Sequence, residues 1–185
     1  LLLSMLVCVI LGMGLPTTAS YIICATAIAP ALIKIGLPAL AAHLFLLYFA
    51  CISAITPPVA VASYAAAGIA EENPMKVGFT AVKLGIAGFV LPFVFALNTD
   101  YLHAGLDVLT LFTWISAFVV CYAAAVAIQG YVEQKITVVE RLLYLVVVFT
   151  AIQHNFALSI FGWVLFAGLY GFRLMQHKKA GAAAA

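Results

Sequence analysis

Residues 12–70 read GMGLPTTASYIICATAIAPALIKIGLPALAAHLFLLYFACISAITPPVAVASYAAAGIA, an apolar run whose one charged side chain is Lys34 and which is punctuated at GMGLPTT (12–18) and SAITPP (53–58). A run this long and this apolar needs lipid as its solvent, and there only helices or a closed barrel satisfy every backbone group. Barrel strands are alternating segments of roughly ten residues. Here apolar residues follow one another without alternation, so the run is helical. The fold class is all-α integral membrane: a helical bundle with a re-entrant hairpin and a discontinuous helix.

The rest of the chain agrees with lipid as solvent. Of 185 residues, 67% are hydrophobic and 8% charged, and the mean hydropathy is +1.23, far outside soluble composition. The net charge of +2 is small and its Lys and Arg are scattered among loops, so no nucleic-acid partner is implied. Cys8, Cys24, Cys51 and Cys121 lie in apolar stretches without CxxC spacing, which reads as small core residues and neither a disulfide framework nor a zinc site. Leu1 lies inside an apolar run with no Met or charged leader before it, which reads as a fragment starting mid-helix and not as a cleaved signal peptide.

A span needs about 20 apolar residues, and Pro/Gly clusters mark breaks. Residues 1–33 form a hairpin with its tip at Gly12 to Pro16, followed by a joint at Lys34, Gly36 and Pro38. Residues 39–70 form a helix broken at Thr56-Pro57-Pro58 and ended by Glu71-Glu72-Asn73-Pro74. Residues 75–83, with Lys76 and Lys83, read as an interfacial helix or a plain loop, and 84–97 as a span kinked at Pro92. Residues 1–100 thus make one membrane domain, 101–175 a C-terminal membrane extension and 176–185 a tail, disordered after Lys179.

The loop at 98–107 holds Asp100 and Asp107 but no Lys or Arg and should face away from the cytoplasm. Residues 108–129 cross back to a cytoplasmic charged loop with Glu133, Lys135, Glu140 and Arg141; the Lys76 and Lys83 segment shares that side. Residues 142–172, interrupted at Gln153-His154-Asn155, are either a helical pair, returning Arg173, Lys178 and Lys179 to the cytoplasm, or one tilted span.

The chemistry concentrates at the two breaks. At the first, glycines permit unusual backbone conformations and Pro16 suits the first turn of the next helix, whose free N–H groups and positive dipole end can meet an anionic solute. Gly14, Thr17, Thr18 and Pro57 are the candidate solute-contacting residues. At the second, Pro57 disfavours helical Thr56, and neither proline donates a hydrogen bond, which releases carbonyls of the preceding turn. Ser53 and Thr56, three apart, add hydroxyls, and such a set of oxygens suits sodium. Broken helices at membrane depth are tolerated only in protein or beside water, and paired breaks point to a transporter's binding site; proline kinks serving packing alone are the plain alternative.

All six acidic residues (Glu71, Glu72, Asp100, Asp107, Glu133, Glu140) fall in loops on this assignment, leaving no carboxylate relay across the segment. His43 alone among the histidines sits within a span, where a bundle-facing hydrogen bond is the plain reading; His103, His154 and His177 fall at interruptions or ends. Tyr21, Tyr48 and Tyr64 are further candidates for solute contact. Ser4, Ser20, Ser53, Ser63, Ser116 and Ser159 have no visible base as partner, so no enzyme is expected.

Residues 1–97 resemble the large, DctM-like membrane subunit of TRAP transporters. GMGLPTT at the tip and AITPPVA (54–60) at the broken helix resemble the fused-permease branch that works with TAXI-type solute-binding proteins, and VERLLYLVVV (139–148) resembles that branch's C-terminal extension. The resemblance implies that residues 1–100 are the transport domain formed by the second inverted repeat of an elevator-type, sodium-coupled importer in the inner membrane, with no cofactor other than sodium as coupling ion. It implies three partners: a periplasmic solute-binding protein, a small membrane domain fused upstream, and an organic anion, a carboxylate foremost. It also implies a sodium site from Gly12, Ser53, Thr56 and Val59, with Ser53 standing where related subunits often carry glycine.

Overall fold

The computed structural model describes residues 1–102, 108–132, 134–153 and 155–183, which fall into two compact units, Leu1–Leu102 and His103–Ala185. His103, Asp107, Glu133 and His154 lie outside the described residues, as does the side chain of His177.

In the first unit, α1 (Leu2–Gly12) and α2 (Thr17–Lys34) lie against each other as a hairpin. With 11 residues α1 is about 17 Å long, too short to span. Pro16 stands at the N-cap of α2, one position before the first turn expected of it. α2 ends in a Schellman motif: Gly36 has φ +100°, its N–H donates to Ile33 O (3.0 Å), and Leu37 N–H donates to Leu32 O (3.1 Å). The expected joint at Lys34 to Pro38 thus has a physical cause, the left-handed residue that stops the helix.

α3 (Ala39–Ile52) is the centre of this unit, packing on α1, α2 and α6 (Ile86–Leu97). Phe45 and Phe49 are fully buried and meet Phe93 edge-on, with ring centroids 5.3 and 5.8 Å apart. Because lipid is as apolar as Leu, this core is held chiefly by close van der Waals packing. α3 passes through a 3₁₀ turn, Ser53–Ile55, into the break, and α4 (Val61–Ala70) resumes beyond it.

α5 (Pro74–Leu84) settles residues 75–83 as helix. Asn73 caps it by accepting from Met75 N (3.0 Å) and Lys76 N (3.2 Å). α5 and α6 form a pair bent by 42° at Gly85. Pro92, where the sequence suggests a kink, lies buried within α6. A Cβ at Gly85 would come within 3.0 Å of Ile55 Cδ1, so the bend falls where glycine lets α5 and α6 close around the broken helix. Asp100 lies in a 3₁₀ turn, Thr99–Leu102.

In the second unit, α7 (Val108–Gln129) has 22 residues, about 33 Å, enough to cross a bilayer. A two-residue ladder of β1 (Tyr131–Val132) and β2 (Gln134–Lys135) links it to α8 (Val138–Ala151), which packs on both α7 and α9 (Phe156–Ala183). Glu140 at the start of α8 pairs with Arg173 late in α9 (Nε to Oε1 2.6 Å), so the two helices run antiparallel and 142–172 is a helical pair. Glu140 itself is not a loop residue: it closes a capping box with Thr137 at the head of α8. α9 continues to Ala183, beyond Lys179, where disorder was expected.

Three helices among the described residues are long and apolar enough to cross a membrane: Thr17–Lys34, Thr110–Gln129 and Phe156–Gln176. With the large apolar side chains left outward, such as Ile69 (88% exposed) and Val108 (85%), they make this a multi-pass membrane protein.

Candidate functional site

The hairpin tip is a tight turn held by Met13 N–H to Ile10 O and Leu15 N–H to Gly12 O, both 3.3 Å. Gly14 has φ +77°, a conformation that side chains other than glycine rarely adopt. The break after α3 is tied more elaborately. Thr56 is extended (φ −95°, ψ 119°), as a residue before proline should be, and Ala60 is left-handed (φ 31°). Thr56 N–H donates to Ser53 O (3.3 Å) and Ala60 N–H to Thr56 O (3.2 Å). Ser63 Oγ donates to Ile55 O (3.3 Å), and Tyr64 Oη to Pro58 O (2.6 Å). Of the carbonyls expected to be released, Ser53 O is therefore capped locally, although it keeps a second lone pair.

The hydroxyls of the break have a defined sense. Ser53 Oγ donates to Ala50 O (2.7 Å) and Thr56 Oγ1 to Ile52 O (2.8 Å). With the protons directed back into the helix, what each hydroxyl can offer elsewhere is lone pairs, an acceptor face suited to a cation.

Tip and break touch. A Cβ on Gly12 would stand 2.4 Å from Ser20 Oγ, 2.6 Å from Ser53 Oγ and 2.9 Å from Ser53 Cβ, so only glycine fits between them. One on Gly14 would lie 3.5 Å from Val59 Cγ1. The C-terminal ends of α1 and α3 thereby meet, each carrying the negative end of a helix dipole worth about 0.3–1 kcal/mol to a nearby cation. α2 and α4 begin just past the second contact and present positive N-terminal ends.

Of the expected ion ligands, Gly12 and Ser53 are buried together, Thr56 is half-buried one step along the break, and Val59 is exposed against Gly14. Of the solute candidates, Gly14, Thr17 and Thr18 are exposed around the tip, whereas the Pro57 ring is seated on α5, 2.9 Å from where a Gly78 Cβ would be. Tyr64 braces the break, Tyr48 packs on Phe95 (centroids 5.7 Å), and Tyr21 hydrogen-bonds His43 Nδ1 (2.9 Å), which gives His43 the bundle-facing bond expected of it. Cys8 and Cys24 are fully buried between the hairpin arms, but Cys51 is exposed and Cys121 half-buried, so the core reading fails for Cys51. Cys51 lies on the outward face of α3, and small apolar side chains suit lipid as well as a core.

One residue was not singled out as a ligand from sequence. Ser20, in the first turns of α2, is fully buried and its hydroxyl has no hydrogen-bond partner. Such burial costs on the order of 1–3 kcal/mol. Its neighbours Gly12 and Ser53 lie 8 and 33 residues away, so no spacing rule links them.

The family described as the tripartite ATP-independent periplasmic transporter, DctM component, matches residues 1–103, a stretch that takes in both breaks. No match to the chain was found among the curated proteins or among the solved structures.

Proposed function

This chain belongs to the DctM component family of the tripartite ATP-independent periplasmic transporters, and on that premise we propose that it supplies an ion and solute site of a sodium-coupled permease in the inner membrane. The solute is an organic anion, a carboxylate foremost, handed over by a periplasmic solute-binding protein. The chain corresponds to the second repeat of a permease of the TAXI-type branch, with the small membrane domain fused upstream.

The observation that carries this reading is the meeting of two helix C-terminal ends, at Gly12 and Ser53, beside hydroxyls whose protons are already committed to carbonyls. Oxygens without a counter-charge, at negative dipole ends, favour a monovalent cation over a proton, which would need a basic group to hold it. Gly12, Ser53, Thr56 and Val59 are the ligands proposed, by side chain or backbone. The exposed Gly14, Thr17 and Thr18, beside the positive end of α2, suit a carboxylate. Pro57 acts indirectly, by fixing the break on α5.

The test is sodium-dependent uptake by the full-length permease with its binding protein in proteoliposomes. Thr56→Ala should raise the sodium concentration for half-maximal uptake by about tenfold, and Thr56→Ser should restore it. Equal uptake with and without a sodium gradient would remove sodium coupling and favour a proton-coupled permease; no uptake at all from a well-folded complex would favour a scaffold.

A further inference from the structure

Within the first unit, Ser20 Oγ is the polar side-chain atom that is both fully buried and without a hydrogen-bond partner among the described residues. Its own N–H is satisfied by Pro16 O at 3.0 Å, so the hydroxyl alone is left over. It lies 2.4 Å from where a Gly12 Cβ would stand and Ser53 Oγ lies 2.6 Å from the same point, so the two oxygens are within about 5 Å of each other. Ser53 has committed its proton to Ala50 O, so it meets Ser20 with lone pairs. Thr26, Thr80 and Thr150 each donate to a carbonyl of the preceding turn. Ser20 does not, and its oxygen stays directed into the place where α1 and α3 end.

We propose that Ser20 Oγ is a direct ligand of the coupling cation, so that the second arm of the hairpin, and not its tip alone, closes the ion site over Ser53. The inference rests on the sodium reading above and adds a residue to it. It gives the buried hydroxyl a positive partner. It also explains why Gly12 is bare, since any side chain there would fill the space that the two hydroxyls face.

The experiment uses the full-length permease with its binding protein in proteoliposomes, comparing Ser20→Ala, Ser20→Cys and Thr56→Ala. Cysteine keeps nearly the size of serine but exchanges a hard oxygen for a soft sulfur. Both Ser20 variants should raise the half-saturating sodium concentration about tenfold while keeping maximal uptake at high sodium. In detergent, sodium alone should stabilise wild type more than either variant, and the sodium-free variants should melt no lower than wild type.

If both Ser20 variants keep the wild-type sodium dependence within about twofold while Thr56→Ala shifts it, Ser20 is not a ligand and the sodium site stands without it. Sodium-free melting that falls in both Ser20 variants, with sodium stabilisation preserved, assigns Ser20 to packing and overturns the proposal. Sodium indifference in every variant and in wild type overturns the coupling reading itself.

Discussion

Gly12→Ala is the sharpest perturbation of the contact between tip and break. The added methyl would stand 2.4 Å from Ser20 Oγ, 2.6 Å from Ser53 Oγ and 2.9 Å from Ser53 Cβ. The hydroxyls can rotate away, but Ser53 Cβ moves only with its 3₁₀ turn, and Ser53 Oγ would have to leave its 2.7 Å bond to Ala50 O. Over-packing of this kind costs about 1–3 kcal/mol, and the better helix propensity of alanine offsets up to about 1 kcal/mol. A net loss of up to about 2 kcal/mol follows, and because the displaced atoms belong to the ion site, half-saturating sodium should rise roughly tenfold. Thermal melting of the purified full-length permease, with sodium-titrated uptake in liposomes, reads both quantities. Gly68→Ala is the control, since a Cβ there meets nothing within 4 Å. If Gly12→Ala is as harmless as Gly68→Ala in both assays, tip and break are not in contact and the site as described is wrong.

Other outcomes follow from the same geometry. Arg173 and Glu140 form an ion pair with side chains only 11% and 14% exposed, so Arg173→Ala should cost about 1–3 kcal/mol, the Glu140 carboxylate keeping only its bonds to Thr137. The double variant with Glu140→Gln should recover part of that loss, and strictly additive melting shifts would sink the pairing. Gly162→Leu should separate α8 from α9, because even a Cβ at Gly162 would stand 2.8 Å from Thr150 Oγ1 and 3.0 Å from Ala151 N; unchanged protection of 138–176 against limited proteolysis would contradict this. Asn73→Ala should destabilise α5 by about 1 kcal/mol through loss of its cap, with Asn73→Asp close to neutral, read by hydrogen exchange at Met75 and Lys76.

The two breaks were legible because glycine and proline act locally: a left-handed Gly14 and an extended Thr56 are properties of the residues themselves. The bend between α5 and α6 was not, because it depends on how closely Ile55 approaches Gly85. The start of α8 was within reach, since Thr137 and Glu140 stand three apart before an apolar run and form the capping box that the spacing predicts. Ser20 was out of reach, because an unpartnered hydroxyl is a property of three segments meeting and not of any one of them.

The backbone hydrogen bonds at the break run within residues 49–64, and those at the tip within 10–20. Each irregular stretch is a self-sufficient knot, and the seam between them is bare contact at Gly12 and Gly14. In hydrocarbon the dominant penalty for moving a strand of irregular chain is the orphaning of its donors and acceptors. None of these hydrogen bonds crosses the seam, so either knot would keep them with the other withdrawn.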